Sequence, residues 1–271
     1  MIVLPIVLTS TLILGAVPMV TTAPDTLIDV GGHGLRFKVR EGPRPITIVL
    51  EAGGGADTSS WITVPDSLVR QTEATIVTYD RAGLGESDLG PADLTPEEEI
   101  RDLSDALHRL GTPAPRILVA HSYGAMLAIL HAGLYTDEVV GLVLVDPMNP
   151  VFVQETGDFV RSTVPDIAAP ENDRERVIVR MNRTFADLTA RTVEIEPDLP
   201  IPIIVLTASE PWWGTEEIDR AWRRSHEVIA ERSSHRKLVV AEGSDHDVPE
   251  DRPDLIVEAV SRILAEIDRR E

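Results

Sequence analysis

The sequence contains no cysteine among its 271 residues. A disulfide scaffold, a thiolate nucleophile and a zinc site with cysteine ligands are therefore all excluded. Basic residues are scarce as well, because 25 lysines and arginines stand against 45 aspartates and glutamates, which gives a formal charge of −20. Nucleic-acid phosphates and anionic lipid surfaces both require clustered cations. We therefore expect no nucleic-acid partner and no electrostatic docking on a membrane.

Motifs for metal and nucleotide binding are also missing. His226 and His235 lie nine residues apart, but no third ligand stands at zinc spacing and there is no HExxH motif. The Asp/Asn–Gly pattern of a calcium loop does not occur. Neither GxGxxG nor GxxxxGK[ST] is present, so a dinucleotide site or a P-loop is not expected. The sequence predicts no metal and no cofactor.

Charge is absent from the first 24 residues, since Asp25 is the first charged residue of the chain. The apolar runs Ile2–Leu8 and Leu12–Leu14 are typical of the hydrophobic part of a secretory signal. A basic start is missing, and Pro5 and Pro18 inside the segment make it a poor spanning helix. We expect residues 1–24 to be an export signal or membrane anchor, in a protein that is secreted or membrane-anchored. The alternative is a simple N-terminal extension of a cytoplasmic protein.

Strands and helices alternate along residues 25–271. The runs rich in Val, Ile and Leu that predict buried parallel strands are Ile46–Glu51, Ala74–Tyr79, Arg116–Ala120, Val140–Val145, Ile203–Thr207 and Lys237–Ala241. Before them, Thr26–Val30 and Leu35–Arg40 predict an antiparallel hairpin. The predicted helices are Thr95–Leu110, Ser122–Leu134, Arg220–Glu231 and Pro253–Arg269. This alternation is typical of one α/β domain with a mainly parallel sheet.

The alternation is interrupted at residues 148–200. This stretch has no clear strand pattern but contains charged helical sequence at Glu171–Ala190. An insertion of this kind at one end of a parallel sheet predicts a small helical cap over a pocket. An ordinary pair of crossover helices is the alternative.

One motif combines a strand, a tight turn and a helix. Ala120–Gly124 reads AHSYG, follows the strand Arg116–Ala120 and precedes a helix-forming run. It matches the G-x-S-x-G nucleophile elbow, with Ala120 in place of the first glycine. Such a turn exposes the hydroxyl of Ser122, and the helix N-terminus beneath it supplies N–H groups for an oxyanion.

Four further segments accompany the elbow: Glu51–Gly55 (EAGGG), Asp80–Asp88 (DRAGLGESD), Leu142–Pro147 (LVLVDP) and the late Gly243–Asp247 (GSDHD). Together with the elbow they resemble the α/β-hydrolase family, in particular its single-domain, esterase-like members. The resemblance extends over nearly all of the chain after residue 26. It implies an eight-stranded, mainly parallel sheet flanked by helices, and a Ser–acid–His triad in chain order.

The resemblance assigns roles to individual residues. Ser122 is expected to be the nucleophile, and His246, just past the last strand, the base. For the acid, Asp146 at the end of Val140–Val145 is favoured, because the segment around Glu210 lacks the usual glycine-then-aspartate spacing. Glu210, after Ile203–Thr207, is the alternative acid.

The oxyanion donors are expected to be two backbone N–H groups, those of Gly54 and Tyr123. Alignment of Ala52 and Gly53 with the His-Gly of the family places the first of them at Gly54. Trp212 and Trp213 follow a core strand and either line the substrate pocket or pack beneath the cap.

These assignments predict a serine hydrolase that cleaves carboxylic ester or lactone bonds of small molecules through an acyl-enzyme. A serine at the elbow disfavours dehalogenase and epoxide hydrolase chemistry, which require a carboxylate nucleophile. A hydroxynitrile lyase or an acyltransferase on the same triad is an alternative. A non-catalytic ligand-binding homologue is another, although such a protein is expected to have lost a triad residue.

Overall fold

A computed structural model describes residues 25–163 and 165–270 of the chain. The predicted signal or anchor at residues 1–24 lies outside the described residues. Among the helices of the described part, none combines the length and the apolar character needed to cross a membrane.

The described strands form one eight-stranded sheet in the order β1-β2-β4-β3-β5-β6-β7-β8. Their bounds are β1 Thr26–Asp29, β2 Gly34–Arg40, β3 Arg44–Glu51, β4 Ala74–Tyr79, β5 Arg116–His121, β6 Val139–Val145, β7 Ile203–Ala208 and β8 Arg236–Ala241. The β1–β2 hairpin is antiparallel, as is the β2–β4 pair, and every other pair is parallel. The mainly parallel α/β fold predicted from the sequence is therefore confirmed.

Helices connect the strands. Their bounds are α1 Val64–Thr72, α2 Pro96–Arg109, α3 Gly124–Leu134, α4 Pro150–Thr163, α5 Asp173–Ile195, α6 Glu216–Glu231, α7 Val248–Asp251 and α8 Pro253–Asp268. Two single 3₁₀ turns add Thr58–Trp61 and Glu196–Asp198. The sequence pattern did not predict α1 or α4. Helix α1 is short, and α4 is interrupted by non-helical backbone at Thr156, so neither shows a long apolar period.

The sheet is the middle of three layers. Side chains of α1 and α8, including Leu68 and Ile263, pack on one face and form a continuous apolar cluster with the strands. Side chains of α2, α3 and α6, including Leu103 and Ile129, pack on the other face. Because both faces are covered, the central strands are buried along their whole length, as their Val, Ile and Leu content requires.

Helices α4 and α5 occupy the stretch 148–200, where the sequence predicts a cap. Helix α5 packs on α3 and α4 packs on α6, both outside the sheet. The N-terminal turn of α5 also reaches the loop after β3, where Arg174 Nε donates a 2.9 Å hydrogen bond to the carbonyl of Gly55. The carboxyl ends of β3, β5, β6 and β8, and this helix, therefore lie around one region of the molecule.

Candidate active site

Ser122 stands at the turn between β5 and α3. Its backbone has a φ of 51°, in the left-handed region that non-glycine residues rarely occupy. The turn is tight because α3 starts directly against β3: a Cβ on Gly124 would lie 2.5 Å from the carbonyl oxygen of Ala52. Ala120, on the other side of the serine, is completely buried, so the methyl group that replaces the usual glycine has found space. The sequence and the local packing thus both produce a strained elbow with the serine at its apex.

Ser122, His246 and Asp146 are joined by two consecutive hydrogen bonds. The Ser122 Oγ atom lies 2.9 Å from His246 Nε2. On the other side of the ring, His246 Nδ1 lies 2.7 Å from Asp146 Oδ2. A carboxylate can only accept, so Nδ1 carries the hydrogen and Nε2 is free to accept the serine proton. The three residues come from three separate parts of the chain and meet at the carboxyl edge of the sheet.

Asp146 is held as an anion in a buried site. It follows β6 with a φ of 38° and is fully buried. Its Oδ1 accepts a 2.9 Å hydrogen bond from the Ala208 N–H, and its Oδ2 accepts a 3.0 Å bond from the indole N–H of Trp222. Burial alone would raise the pKa of Asp146, but the hydrogen bonds from His246 and from the Ala208 N–H bring it below its ordinary value.

Two residues beside Asp146 were not assigned to the site from the sequence. Trp222 and His226 both come from α6, a helix for which the sequence predicted no site residue. The structure buries His226 completely, 3.9 Å from Asp146 Oδ1, with ring nitrogens 2.8 Å from Thr207 Oγ1 and 2.9 Å from the Pro147 carbonyl. Burial lowers the pKa of His226, so it is a neutral neighbour of the carboxylate. The one signal in the sequence that could have indicated the burial of His226 is its position on the apolar face of α6.

Glu210, the alternative acid, is not brought to His246. Its side chain is exposed, and its carboxylate lies 3.3 Å from the hydroxyl of the adjacent Ser209. Its backbone N–H donates to the carbonyl of Ser244. The segment after β7 therefore supports the loop that carries His246 through its main chain, while its carboxylate points elsewhere.

His121 lies next to the serine but does not contact its hydroxyl. Its Nε2 lies 2.9 Å from the main-chain carbonyl of His246, and the two rings are 4.6 Å apart. Burial, reinforced by the neighbouring His246, lowers the pKa of His121 to about 3. His121 is therefore neutral at physiological pH, donates through Nε2 and ties the histidine loop to the elbow.

Trp212 and Trp213, the adjacent tryptophans after β7, pack against different parts of the molecule. The ring of Trp212 stacks on His246 at 3.9 Å. Trp213 packs against Phe152 and Phe159 of α4, at ring distances of 5.5 Å and 5.4 Å. Trp212 therefore supports the histidine, and Trp213 joins α4 to the rest of the molecule.

The two predicted oxyanion donors lie side by side. A Cβ placed on Gly54 would be 3.4 Å from Tyr123 Cβ and 3.1 Å from Met181 Cε, so the glycine loop is pressed between the elbow and α5. Within the described part of the chain, neither the Gly54 N–H nor the Tyr123 N–H donates a hydrogen bond to another protein group. Both donors are thus available to a bound molecule next to Ser122.

A cleft of about 460 Å³ opens at these residues. The residues that line it are Gly53, Gly54, Ala56, Ser59, Ser60, Ile62, Thr63, His121, Ser122, His246, Asp247, Pro249 and Glu250. None of these lining residues is a lysine or an arginine. Over residues 25–163 and 165–270, no group of three or more His, Asp and Glu side chains is arranged to hold a metal ion.

Comparison with known proteins gives one family and a broad set of similar folds. The model of the Alpha/beta hydrolase family matches residues 48–259. The chain is 26% identical over 234 residues to YqjL of Bacillus subtilis (strain 168), a protein described as uncharacterized, with 84% of this chain and 87% of YqjL covered.

Similar solved structures include enzymes of different substrate class. A carboxylesterase structure from the thaumarchaeon Nitrososphaera gargenis has a TM-score of 0.68 at 14% identity, with 92% of this chain and 100% of that chain covered. Proline iminopeptidase of Mycobacterium smegmatis has a TM-score of 0.63 at 15% identity, with 91% and 99% covered. At these identities the likeness concerns the fold, and the substrate has to be argued from the site.

Proposed function

Since the chain belongs to the α/β-hydrolase family, we propose that it is a serine hydrolase that cleaves carboxylic ester or lactone bonds of small molecules. The observation that carries the proposal is the unbroken chain of hydrogen bonds from Ser122 Oγ through His246 to Asp146. A serine is a weak nucleophile at neutral pH unless an adjacent base can take its proton. The arrangement supplies that base and fixes its tautomer.

The reaction follows from these contacts. Ser122 Oγ attacks the acyl carbon as its proton passes to His246 Nε2, and Asp146 stabilises the imidazolium that results. The tetrahedral intermediate collapses, its carbon–oxygen bond breaks, and the alcohol leaves with the proton from His246. Water then attacks the acyl-enzyme, gives its proton to His246, and releases the acid while Ser122 recovers its hydrogen.

The negative oxygen of both intermediates is stabilised by main-chain donors in this proposal. The N–H groups of Gly54 and Tyr123 adjoin Ser122 and have no protein acceptor among the described residues. Each donor of this kind contributes about 3–4 kcal/mol to transition-state stabilisation in related enzymes. Because Tyr123 opens helix α3, the helix dipole favours negative charge at the same place.

The cleft indicates which substrates fit. Its size suits a small ester, and its wall carries the hydroxyls of Ser59, Ser60 and Thr63. Two carboxylates, Asp247 and Glu250, also line it. Without a lysine or arginine in that lining, a negatively charged acyl or alcohol group would find no cationic side chain and would be repelled by the two carboxylates. We therefore propose uncharged esters and lactones as substrates.

Helices α4 and α5 are proposed to act as the cap. Arg174 at the start of α5 binds the carbonyl of Gly55, and Met181, two turns further along the helix, lies against Gly54. The position of α5 thus determines how much space remains above the glycine loop.

Labelling with a fluorophosphonate probe tests the nucleophile directly. The wild-type protein should be labelled at Ser122, and Ser122→Ala should not be labelled. Hydrolysis of p-nitrophenyl acetate and butyrate should disappear in the same variant. Absence of labelling in the wild type, or undiminished labelling of Ser122→Ala, would contradict the proposal.

A panel of substrates distinguishes ester hydrolysis from the other reactions that enzymes of this fold catalyse. Esters and lactones should be turned over, whereas a proline p-nitroanilide, styrene oxide and mandelonitrile should not. Turnover of mandelonitrile without ester hydrolysis would instead assign the site to a lyase. Product analysis in the presence of an added alcohol would identify acyl transfer.

A further inference from the structure

A buried arginine lies directly beneath the proposed oxyanion loop. Arg81, in the loop after β4, is only 4% exposed. Its Nη1 donates a 2.6 Å hydrogen bond to the carbonyl of Ala52, and its Nη2 donates to the carbonyl of Gly53. These are the two residues that precede Gly54. One guanidinium therefore holds two consecutive carbonyls of the loop.

The guanidinium is itself fixed from below. Glu51, the last residue of β3, is equally buried and accepts a hydrogen bond from Arg81 Nη1. The hydroxyl of Tyr79 donates to the other oxygen of Glu51. Burial works against the charge of Arg81, but Glu51 raises the pKa of Arg81 above its ordinary value, so the guanidinium remains charged. Each of the two Nη atoms of the planar guanidinium therefore has a carbonyl acceptor, and the buried Glu51 carboxylate, itself bound by Tyr79, holds the group in place.

A second ion pair, between Arg180 of α5 and Glu99 of α2, supports the loop after β4 that carries Arg81. Arg180 Nη2 lies 2.7 Å from the carbonyl of Ala82 and 3.0 Å from Glu99 Oε1. Because Ala82 follows Arg81 directly, the main chain that carries Arg81 is also fixed. Two buried ion pairs are a costly way to stabilise a fold, since apolar packing can replace such pairs without loss. The Arg81–Glu51 pair lies under the glycine loop, and this placement points to a role in the geometry of that loop.

The carbonyl that Arg81 binds belongs to the same peptide unit as the proposed donor. In a trans peptide the C=O and the following N–H point in opposite directions. A guanidinium that fixes the Gly53 carbonyl therefore also fixes the direction of the Gly54 N–H. Because glycine stands on both sides of this peptide unit and permits most backbone conformations, the peptide would otherwise be free to rotate.

We propose that Arg81 is a positioning residue that holds the Gly53–Gly54 peptide so that the Gly54 N–H is aimed at the oxyanion. The inference rests on the proposed serine-hydrolase function. It predicts that Arg81 contributes to the rate of the chemical step and not to the binding of the ground-state ester, because the donor meets full negative charge only in the transition state. The Arg81 guanidinium also lies over the ring of Tyr123, 5.8 Å from its centroid.

The test compares Arg81→Met and Arg81→Lys with the wild type. Arg81→Met should lower kcat for p-nitrophenyl butyrate about 100-fold with little change in KM, close to the effect of losing one oxyanion donor. The inhibition constant of an alkyl trifluoromethyl ketone, whose adduct with serine carries the oxyanion, should rise by a similar factor. Arg81→Lys keeps a charge but not the fork, and should fall between the two.

The matched control is Arg236→Met. Arg236 is a buried arginine at the start of β8, and it binds Glu196 through both its carboxylate and its main-chain carbonyl. It lies at the opposite end of that strand from the His246 loop. Arg236→Met should therefore lower the thermal unfolding temperature as Arg81→Met does, but leave kcat and the inhibition constant of the ketone unchanged below that temperature.

The outcomes separate this inference from the function beneath it. A folded Arg81→Met with wild-type kcat and ketone affinity would overturn the role of Arg81 while the hydrolase proposal stands. Should Arg81→Met not fold, Arg81→Lys decides, because a loss below about threefold in kcat would contradict the inference. A wild-type protein that neither reacts with fluorophosphonate nor hydrolyses esters would instead refute the proposed function.

Discussion

The indole ring of Trp212 lies on the imidazole of His246, with ring centroids 3.9 Å apart and planes inclined by 13°. The two residues come from different loops, one after β7 and one after β8. A face-to-face contact of this kind fixes the ring against rotation. It also places the π-electrons of the indole against a ring that, in the proposed mechanism, becomes positively charged in each transition state.

We predict that Trp212→Leu lowers kcat for p-nitrophenyl butyrate about three- to tenfold, the range expected when one cation–π contact is lost. KM should change little, because Trp212 does not line the cleft at Ser122. Trp212→Phe keeps a π-face and should retain most of the rate. Steady-state kinetics on the three proteins checks this, and equal losses in Leu and Phe variants would mean that the contact acts through packing alone.

The assignment of the acid is tested by two isosteric changes. Asp146→Asn should reduce kcat about 10⁴-fold, because an amide cannot stabilise the imidazolium and favours the wrong tautomer of His246. Glu210→Gln should stay within about twofold of the wild type, since the exposed carboxylate of Glu210 has Ser209 as its one hydrogen-bond partner among the described residues. Both are measured by ester turnover after far-UV circular dichroism has verified folding. The reverse pattern would move the acid to the segment after β7.

Alanine substitutions at two glycines should have opposite effects on stability, because Gly124 allows two backbones to approach closely and Gly157 does not. Gly124→Ala should destabilise the protein by about 2–3 kcal/mol, because its Cβ would lie 2.5 Å from the Ala52 carbonyl oxygen. The Cβ that Gly157→Ala adds in α4 would meet, among the described residues, only the guanidinium of Arg161, with Nη1 at 3.5 Å and Nη2 at 3.9 Å, so this change should stabilise the protein by about 0.5–1 kcal/mol. Urea unfolding monitored by tryptophan fluorescence measures both. A stable Gly124→Ala would contradict the packing of α3 on β3.

Most of the fold, and the proposed nucleophile and base, could be predicted from the sequence. Buried parallel strands, such as β5, are continuous apolar runs, and the elbow is a local pattern of five residues, so both can be recognised without knowledge of distant contacts. Gly243–Asp247 likewise lies directly after a predicted strand. Signals of this kind depend on neighbours in the chain.

Contacts between distant segments could not be predicted in this way. Arg81 and Glu99 are charged residues of the kind usually found on a solvated surface. Nothing in a single sequence indicates that Arg81 is buried beside Glu51, or Glu99 beside Arg180. Trp222 was part of a predicted helix, but its indole N–H meets Asp146, a residue 76 positions earlier. The positions of such side chains are determined by tertiary packing, which produces no periodic pattern in the sequence.

Buried neutral histidines give the protein a predictable dependence of stability on pH. His131 on α3 is almost completely buried, and its Nε2 has no hydrogen-bond partner among the described residues. Burial, together with the charge of Arg116, lowers the pKa of His131 from 6.5 to about 3. Between these two values the unfolded chain binds a proton that the folded protein does not. The contribution of His131 to stability is therefore complete above pH 6.5 and is lost as the pH falls towards 3.

We predict that His131→Leu removes this loss. Each pH unit below 6.5 costs the wild type about 1.4 kcal/mol at this one residue, so the unfolding free energy of the variant relative to wild type should rise by about 2 kcal/mol between pH 7 and pH 5. Urea unfolding at both pH values measures the difference. His108→Leu is the matched control, because the His108 side chain is about half exposed and lies 3.2 Å from Glu138. If both variants followed the wild-type curve in parallel, His131 would have to take up its proton in the folded state, and the buried environment assigned to it on α3 would be wrong.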